Sequence, residues 1–195
     1  MKSLPEGGFT TAWLVRLAIA LISVSSGTVF AVAPPSEYQL KAVFLFNFAQ
    51  FVEWPETAFE GPNDDLSICL VGQDPFGDEL DAVMQGEQIS GRAISIRRYP
   101  DAASIEDCHL LYVRQPEHEL RQTLQKVKGA PVLTVGETEA FTAFGGMIRF
   151  QMEGNKVRLL VNPQPADEAH LRLSSKLLRS SRIVAQNVTE ERRDE

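Results

Sequence analysis

A chain of 195 residues with 44% hydrophobic and 23% charged residues has enough apolar content to bury a sizeable core, which excludes a disordered protein. Its net charge of −7 excludes a nucleic-acid binder, which needs a basic surface, and its two cysteines cannot build a disulfide-rich scaffold. No period of about 20–50 residues recurs, so repeat arrays are excluded as well.

The chain opens with export features. Lys2 and Arg16 are the only cations before Lys41, an apolar run occupies residues 17–24, and Ala31-Val32-Ala33 has the small-x-small form of a cleavage site. Residues 1–33 are therefore expected to be a cleaved signal peptide. A cut after Ala31 is the alternative, because Pro34 would follow Ala33. A membrane anchor needs about 18 clean apolar residues, and Ser23, Ser25, Ser26, Gly27 and Thr28 interrupt this stretch. Removing Lys2, Glu6 and Arg16 with the signal takes the net charge from −7 to −8 and leaves 162 residues. The expectation is an exported protein with no stable membrane insertion.

Residues 34–185 read as one α/β domain. Residues 36–52 contain no Gly or Pro, open on the N-cap candidate Ser36, and are apolar on more than one helical face. Trp54-Pro55 stops this helix. Residues 66–71 form a continuous apolar strand, 78–85 a short helix, and 93–99 an alternating, less buried strand. Residues 109–113 are again apolar throughout, 117–128 form a charged helix, and 132–135 a fourth strand. A short helix is expected over 137–144, then a β-hairpin of 147–152 and 156–161 around Glu153-Gly154-Asn155. A last helix is expected over about 165–184, and residues 186–195 form a charged, frayed tail. Apolar strands separated by helices imply a largely parallel sheet covered on both faces, made mixed by the hairpin.

Catalytic motifs are missing: there is no GxSxG, P-loop, HExxH or CxxC, and His109, His118 and His170 stand at no ligand spacing. No enzyme, cofactor or metal is expected. Strand-end loops are where α/β proteins bind ligands. The loop Gly72-Gln73-Asp74-Pro75-Phe76-Gly77 is such a place, with Asp74 and Phe76 as candidates beside the plain alternative of a capped turn. Cys69 lies within one apolar strand and Cys108 precedes another. If those strands are neighbours, the pair comes within bridging range in an oxidising compartment; the alternative is two buried thiols. The surplus aromatic area of the first helix suits either the core or a partner or dimer surface through Tyr38, Phe44, Phe48, Phe51 and Trp54.

At those residues the chain resembles the YfiR-like periplasmic repressors. The run Tyr38-Gln39-Leu40-Lys41-Ala42-Val43-Phe44-Leu45-Phe46-Asn47-Phe48-Ala49-Gln50-Phe51-Val52-Glu53-Trp54-Pro55 carries the similarity first. Asp74-Pro75-Phe76-Gly77, Cys108-His109-Leu110-Leu111, Gly145-Gly146-Met147-Ile148-Arg149-Phe150 and Leu171-Arg172-Leu173-Ser174-Ser175-Lys176-Leu177-Leu178 follow in order, with Asn162 between the last two. The resemblance implies a soluble periplasmic regulator that binds the periplasmic sensor domain of an inner-membrane diguanylate cyclase and holds it inactive, lowering cyclic di-GMP and biofilm formation. It also implies an outer-membrane lipoprotein partner, while the surplus aromatic area of the first helix leads to the expectation of a homodimer. Cys69 and Cys108 fall where the family has a cysteine pair; a second pair found in some members is missing, which leaves this one as a structural or tuning bridge. The competing reading is a periplasmic small-ligand sensor feeding another receptor such as a histidine kinase, with Arg149, Arg158 or Arg172 as anion partners.

Overall fold

Ser36 opens the first helix as its position predicts. In the computed structural model, which describes residues 35–184, its Oγ accepts from the Gln39 N–H at 3.0 Å and α1 runs Glu37–Phe51. The expected signal peptide and the tail over 186–195 lie outside the described residues. The Ser36 hydroxyl also donates to the Glu79 carboxylate at 3.0 Å, tying the start of α1 to the next helix, α2 (Asp78–Met84). Ahead of Trp54-Pro55 the chain turns extended, as β1 (Val52–Glu53).

The strands that follow are β2 (Leu66–Gly72), β3 (Gln88–Ile89), β4 (Arg92–Tyr99), β5 (Leu110–Arg114), β6 (Leu133–Gly136), β7 (Ile148–Glu153) and β8 (Lys156–Val161). With β10 (Arg182–Ile183) they form an eight-stranded sheet in the order β10-β8-β7-β6-β5-β2-β4-β3. From β4 through β7 neighbouring strands are parallel, while β7–β8 is an antiparallel hairpin turning at Gly154-Asn155. Period-two alternation gives each strand two destinations. Ile68, Leu70, Leu110, Tyr112, Leu133 and Val135 join the core under α1 and α2. Cys69, Val71, Leu111 and Val113 join the core under α3 (Glu117–Lys126). Both faces are thus covered, which is why β2 and β5 are buried along almost their whole length.

Two expected helices are corrected. In place of the helix expected over 137–144, residues 139–145 form consecutive turns, because Phe141 is driven fully into the core under α3, where its ring lies against Gly136 and Gly146. A Cβ at either glycine would collide with that ring, so the chain must coil around Phe141. The helix expected over about 165–184 is instead α4 (Pro163–Glu168), β9 (Arg172–Leu173), α5 (Ser175–Arg179) and β10. His170 takes a left-handed conformation (φ 57°) that ends the α4 segment, and β9 then pairs antiparallel with β1. The Ser174 N–H donates to Phe51 O at 2.8 Å, and the Ser174 side chain caps α5. Leu171 and Leu177 are both buried, but from different elements.

Cys69 and Cys108 form a disulfide across neighbouring strands, with Cα atoms 5.9 Å apart and a sequence separation of 39. Next to it, two bonds between Ser67 and His109 lock the same strands: the His109 N–H donates to Ser67 O (2.9 Å), and the Ser67 N–H donates to His109 Nδ1 (3.0 Å). Closing a loop of this length stabilises the fold by about 4 kcal/mol on the chain-entropy account. The Cys69→Ala/Cys108→Ala variant is expected to lose about that much in urea unfolding. A loss under about 1 kcal/mol would show that the bridge constrains little.

Candidate functional site

The crevice of an open α/β sheet lies where consecutive crossovers leave in opposite directions. Here that place is the carboxyl end of β2 and β5, because α2 leads to β4 on one side and α3 leads from β5 to β6 on the other. Gly72, at φ 86°, lets the chain turn there; a Cβ would strike Arg114 O, and the Gln73 N–H donates to that same oxygen at 3.0 Å. The 72–77 loop then folds inward. Asp74 Oδ1 accepts from the Phe76 N–H (2.8 Å), and its Oδ2 accepts from Arg98 Nε (2.7 Å). Arg98 also donates to Asp81 and to Gly77 O; hydrogen bonding to Asp81, and then to Asp74, raises its pKa and holds it charged.

The expectation that Asp74 and Phe76 line a ligand-accepting loop meets a different arrangement. Phe76 is only 3% exposed, with its ring edge-on to Tyr112 (4.8 Å) and Tyr38 (5.6 Å). Its apolar ring is the plug that holds the loop against the core, and Asp74 is the loop's internal clamp. Of the arginines considered as anion partners, Arg158 pairs with Glu153 at 3.2 Å, and Arg149 donates to Glu139 O at 3.2 Å. Arg172 is exposed and stands 4.0 Å from the exposed Glu53.

Beneath the start of α1 lies a charged network absent from the sequence reading. Lys41 is 1% exposed and pairs with Glu37, one turn earlier, and with Glu137 at 2.8 Å. The other oxygen of Glu137 accepts from the Tyr112 hydroxyl, and the Arg114 guanidinium donates to the Tyr38 hydroxyl at 2.7 Å. Burial, then the nearby Glu137 charge, pushes the Tyr112 phenol well above the usual tyrosine range, so Tyr112 stays a neutral donor. The network satisfies its own charges, which makes it a brace linking α1, β5 and the loop after β6. One signal was visible: Lys41 is the only charge between Glu37 and Glu53.

The aromatic candidates of α1 separate into different environments. Phe48 is core, 1% exposed and stacked on Phe150 at 5.7 Å, which corrects its assignment to a surface. Phe44 packs on both of those rings and is partly buried. Tyr38 belongs to the brace at one end of the helix, while Trp54, past the other end, donates to His109 O at 3.1 Å. A helix of 15 residues spans about 22 Å, so Tyr38 and Trp54 do not share one patch. The apolar side chain that α1 exposes is Val43, at 40%, beside the exposed Gln39 and Gln50, with the partly buried Phe44, Phe46 and Phe51 on the same helix. The Lys176 ammonium lies over the Phe51 ring at 4.6 Å.

His109 completes the other end. Its Nδ1 accepts from Ser67, leaving Nε2–H to donate to Ala58 O at 3.0 Å, and Phe59 stacks on the ring at 4.3 Å. It thereby clasps residues 54–59 to the sheet beside the disulfide. Burial lowers its pKa below the ordinary histidine value, and the charges of Arg92 and Arg97 add to that. Among the described residues no group of three or more His, Cys, Asp or Glu could hold a metal ion, and no helix is long and apolar enough to cross a membrane.

Residues 38–182 match the family model described as DUF4154, YfiR/HmsC-like, which takes in well over half of the chain. No curated protein matches it.

Two outcomes follow from the brace and the clasp. Glu137→Ala leaves Lys41 buried with one carboxylate and removes the acceptor of Tyr112, so it should cost about 3 kcal/mol in urea unfolding. Glu37→Ala, at a more exposed carboxylate, should cost under about 1 kcal/mol; equal losses would contradict the brace. His109 binds its proton more weakly folded than unfolded. Its contribution is therefore complete above about pH 6.5 and is lost as pH falls from there through the lowered folded value. As pH falls below about 6.5 the protein should lose stability, and His109→Gln should flatten that slope; an unchanged slope would contradict the assignment.

Proposed function

Because the chain belongs to the YfiR/HmsC-like family, we propose that it is a periplasmic regulator, and not a catalyst, that binds the periplasmic sensor domain of an inner-membrane diguanylate cyclase and represses it. The observation that carries this reading is the match over residues 38–182, from the first helix to the last strand. The export features read in residues 1–33 support that compartment, where such a sensor is exposed. Binding represses only to the extent that the protein prefers the cyclase's inactive conformation over its active one.

The exposed side of α1 is the surface this reading assigns to the partner. Val43 offers apolar area there between the exposed Gln39 and Gln50, and an exposed apolar side chain with polar neighbours is the kind of anchor an interface uses. The exposed Glu53–Arg172 pair, just beyond the end of α1, supplies a polar rim. Tyr38, Phe44, Phe51 and Trp54 support that surface from beneath and at its ends. A second copy of the chain and an outer-membrane lipoprotein are the further partners in the same reading.

Deleting the gene should raise cellular cyclic di-GMP and surface attachment. Replacing it with a Val43→Glu variant should reproduce the deletion while leaving the unfolding midpoint within a few degrees of the parent. Unchanged cyclic di-GMP in the deletion strain, with the cyclase intact, would overturn the proposal.

A further inference from the structure

A cavity of about 300 Å³ opens on the α3 side of the sheet, away from α1, between the end of α3, the turns around Phe144 and the start of α4. At about 30 Å³ per water it would hold roughly ten waters, the lower end of the size of small-molecule sites. Leu124, Val127 and Met147 supply apolar wall. Thr134, only 2% exposed, also lines it; its Oγ1 accepts from the Met147 N–H at 3.0 Å, and its own hydroxyl proton has no acceptor among the described residues. A buried donor left without a partner is costly, and a ligand oxygen would remove that cost.

The mouth carries charge of the opposite sign to the protein as a whole. Arg121 and Lys128 both line the cavity, both are exposed, and neither makes an ion pair among the described residues. The Arg121 guanidinium is laid over the Phe144 ring at 4.0 Å, which holds it at the cavity wall. The one carboxylate in the lining, Glu168, already accepts from Gln164 at 3.0 Å. Two cations against one anion give the lining a net positive charge in a chain of net charge −7.

We propose that this cavity binds a small aliphatic carboxylate bearing a second acceptor oxygen, an oxo or hydroxy acid. Its carboxylate meets Arg121 and Lys128, its chain packs on Leu124, Val127 and Met147, and its second oxygen takes the free Thr134 proton. The proposal does not depend on the cyclase reading, since none of these residues lies on α1.

The test is calorimetric titration of the purified protein with 5-oxohexanoate, hexan-2-one and acetate. For 5-oxohexanoate a Kd near or below about 1 mM is expected, with hexan-2-one and acetate at least tenfold weaker. Arg121→Gln/Lys128→Gln, both at exposed positions, should weaken 5-oxohexanoate at least tenfold without shifting the unfolding midpoint of the free protein. Thr134→Ser should retain binding, and Thr134→Val, where it folds, should weaken it. No binding of 5-oxohexanoate at 10 mM on that ~1 mM expectation, equal binding of hexan-2-one or acetate, or full affinity in the double variant would each overturn the proposal.

Discussion

A helix that is apolar nearly all round can be stable only if most of its surface is covered, and this requirement organises the molecule. α1 lies on the sheet through Ala42, Leu45, Phe48 and Ala49, is tied to α2 through Ser36 and Glu79, and is flanked by β9 and α5 near its end. Its one interior charge, Lys41, cannot be left alone in that setting. Glu37 and Glu137 neutralise it, Tyr112 fills the remaining acceptor of Glu137, and the loop after β6 is held in place as a result. A single lysine thus couples the helix, the central strand β5 and the turns that lead to Phe141.

At the opposite end the constraint is different. The disulfide and the Ser67–His109 bonds lock β2 to the segment before β5, and His109, Phe59 and Trp54 fasten the chain leaving α1 to the same point. Both ends of α1 are therefore anchored to the two middle strands. The helix is presented as a rigid element, so in the proposed reading its exposed side would meet a partner already ordered.

Much of this was legible in the sequence. Continuous apolar runs identified β2 and β5, Ser36 and Trp54-Pro55 marked the limits of α1, and Glu153-Gly154-Asn155 marked the hairpin turn. The strand positions of Cys69 and Cys108 were compatible with their bridge. The turns at 139–145 were not legible, because helical and coiled stretches with one deep anchor such as Phe141 have similar composition. Nor was the broken C-terminal helix: Leu173 and Leu177 keep a helix-like spacing, while the pairing of β9 with β1 is a contact across more than a hundred residues. Phe48 and Phe76 looked like surface or loop aromatics until burial placed them in the core. The Lys41 network joins residues 37, 41, 112 and 137, and no local pattern announces such a set.

The positioning of α1 has functional content only if the protein acts on a membrane partner. The most direct measurement is the rate of cyclic di-GMP synthesis from GTP by open membrane fragments of a deletion strain, with and without added purified protein. The rate should fall in a saturable manner as protein is added, and the Val43→Glu variant should leave it high. A rate that does not respond to the parent protein, in fragments whose cyclase is active, would contradict the account.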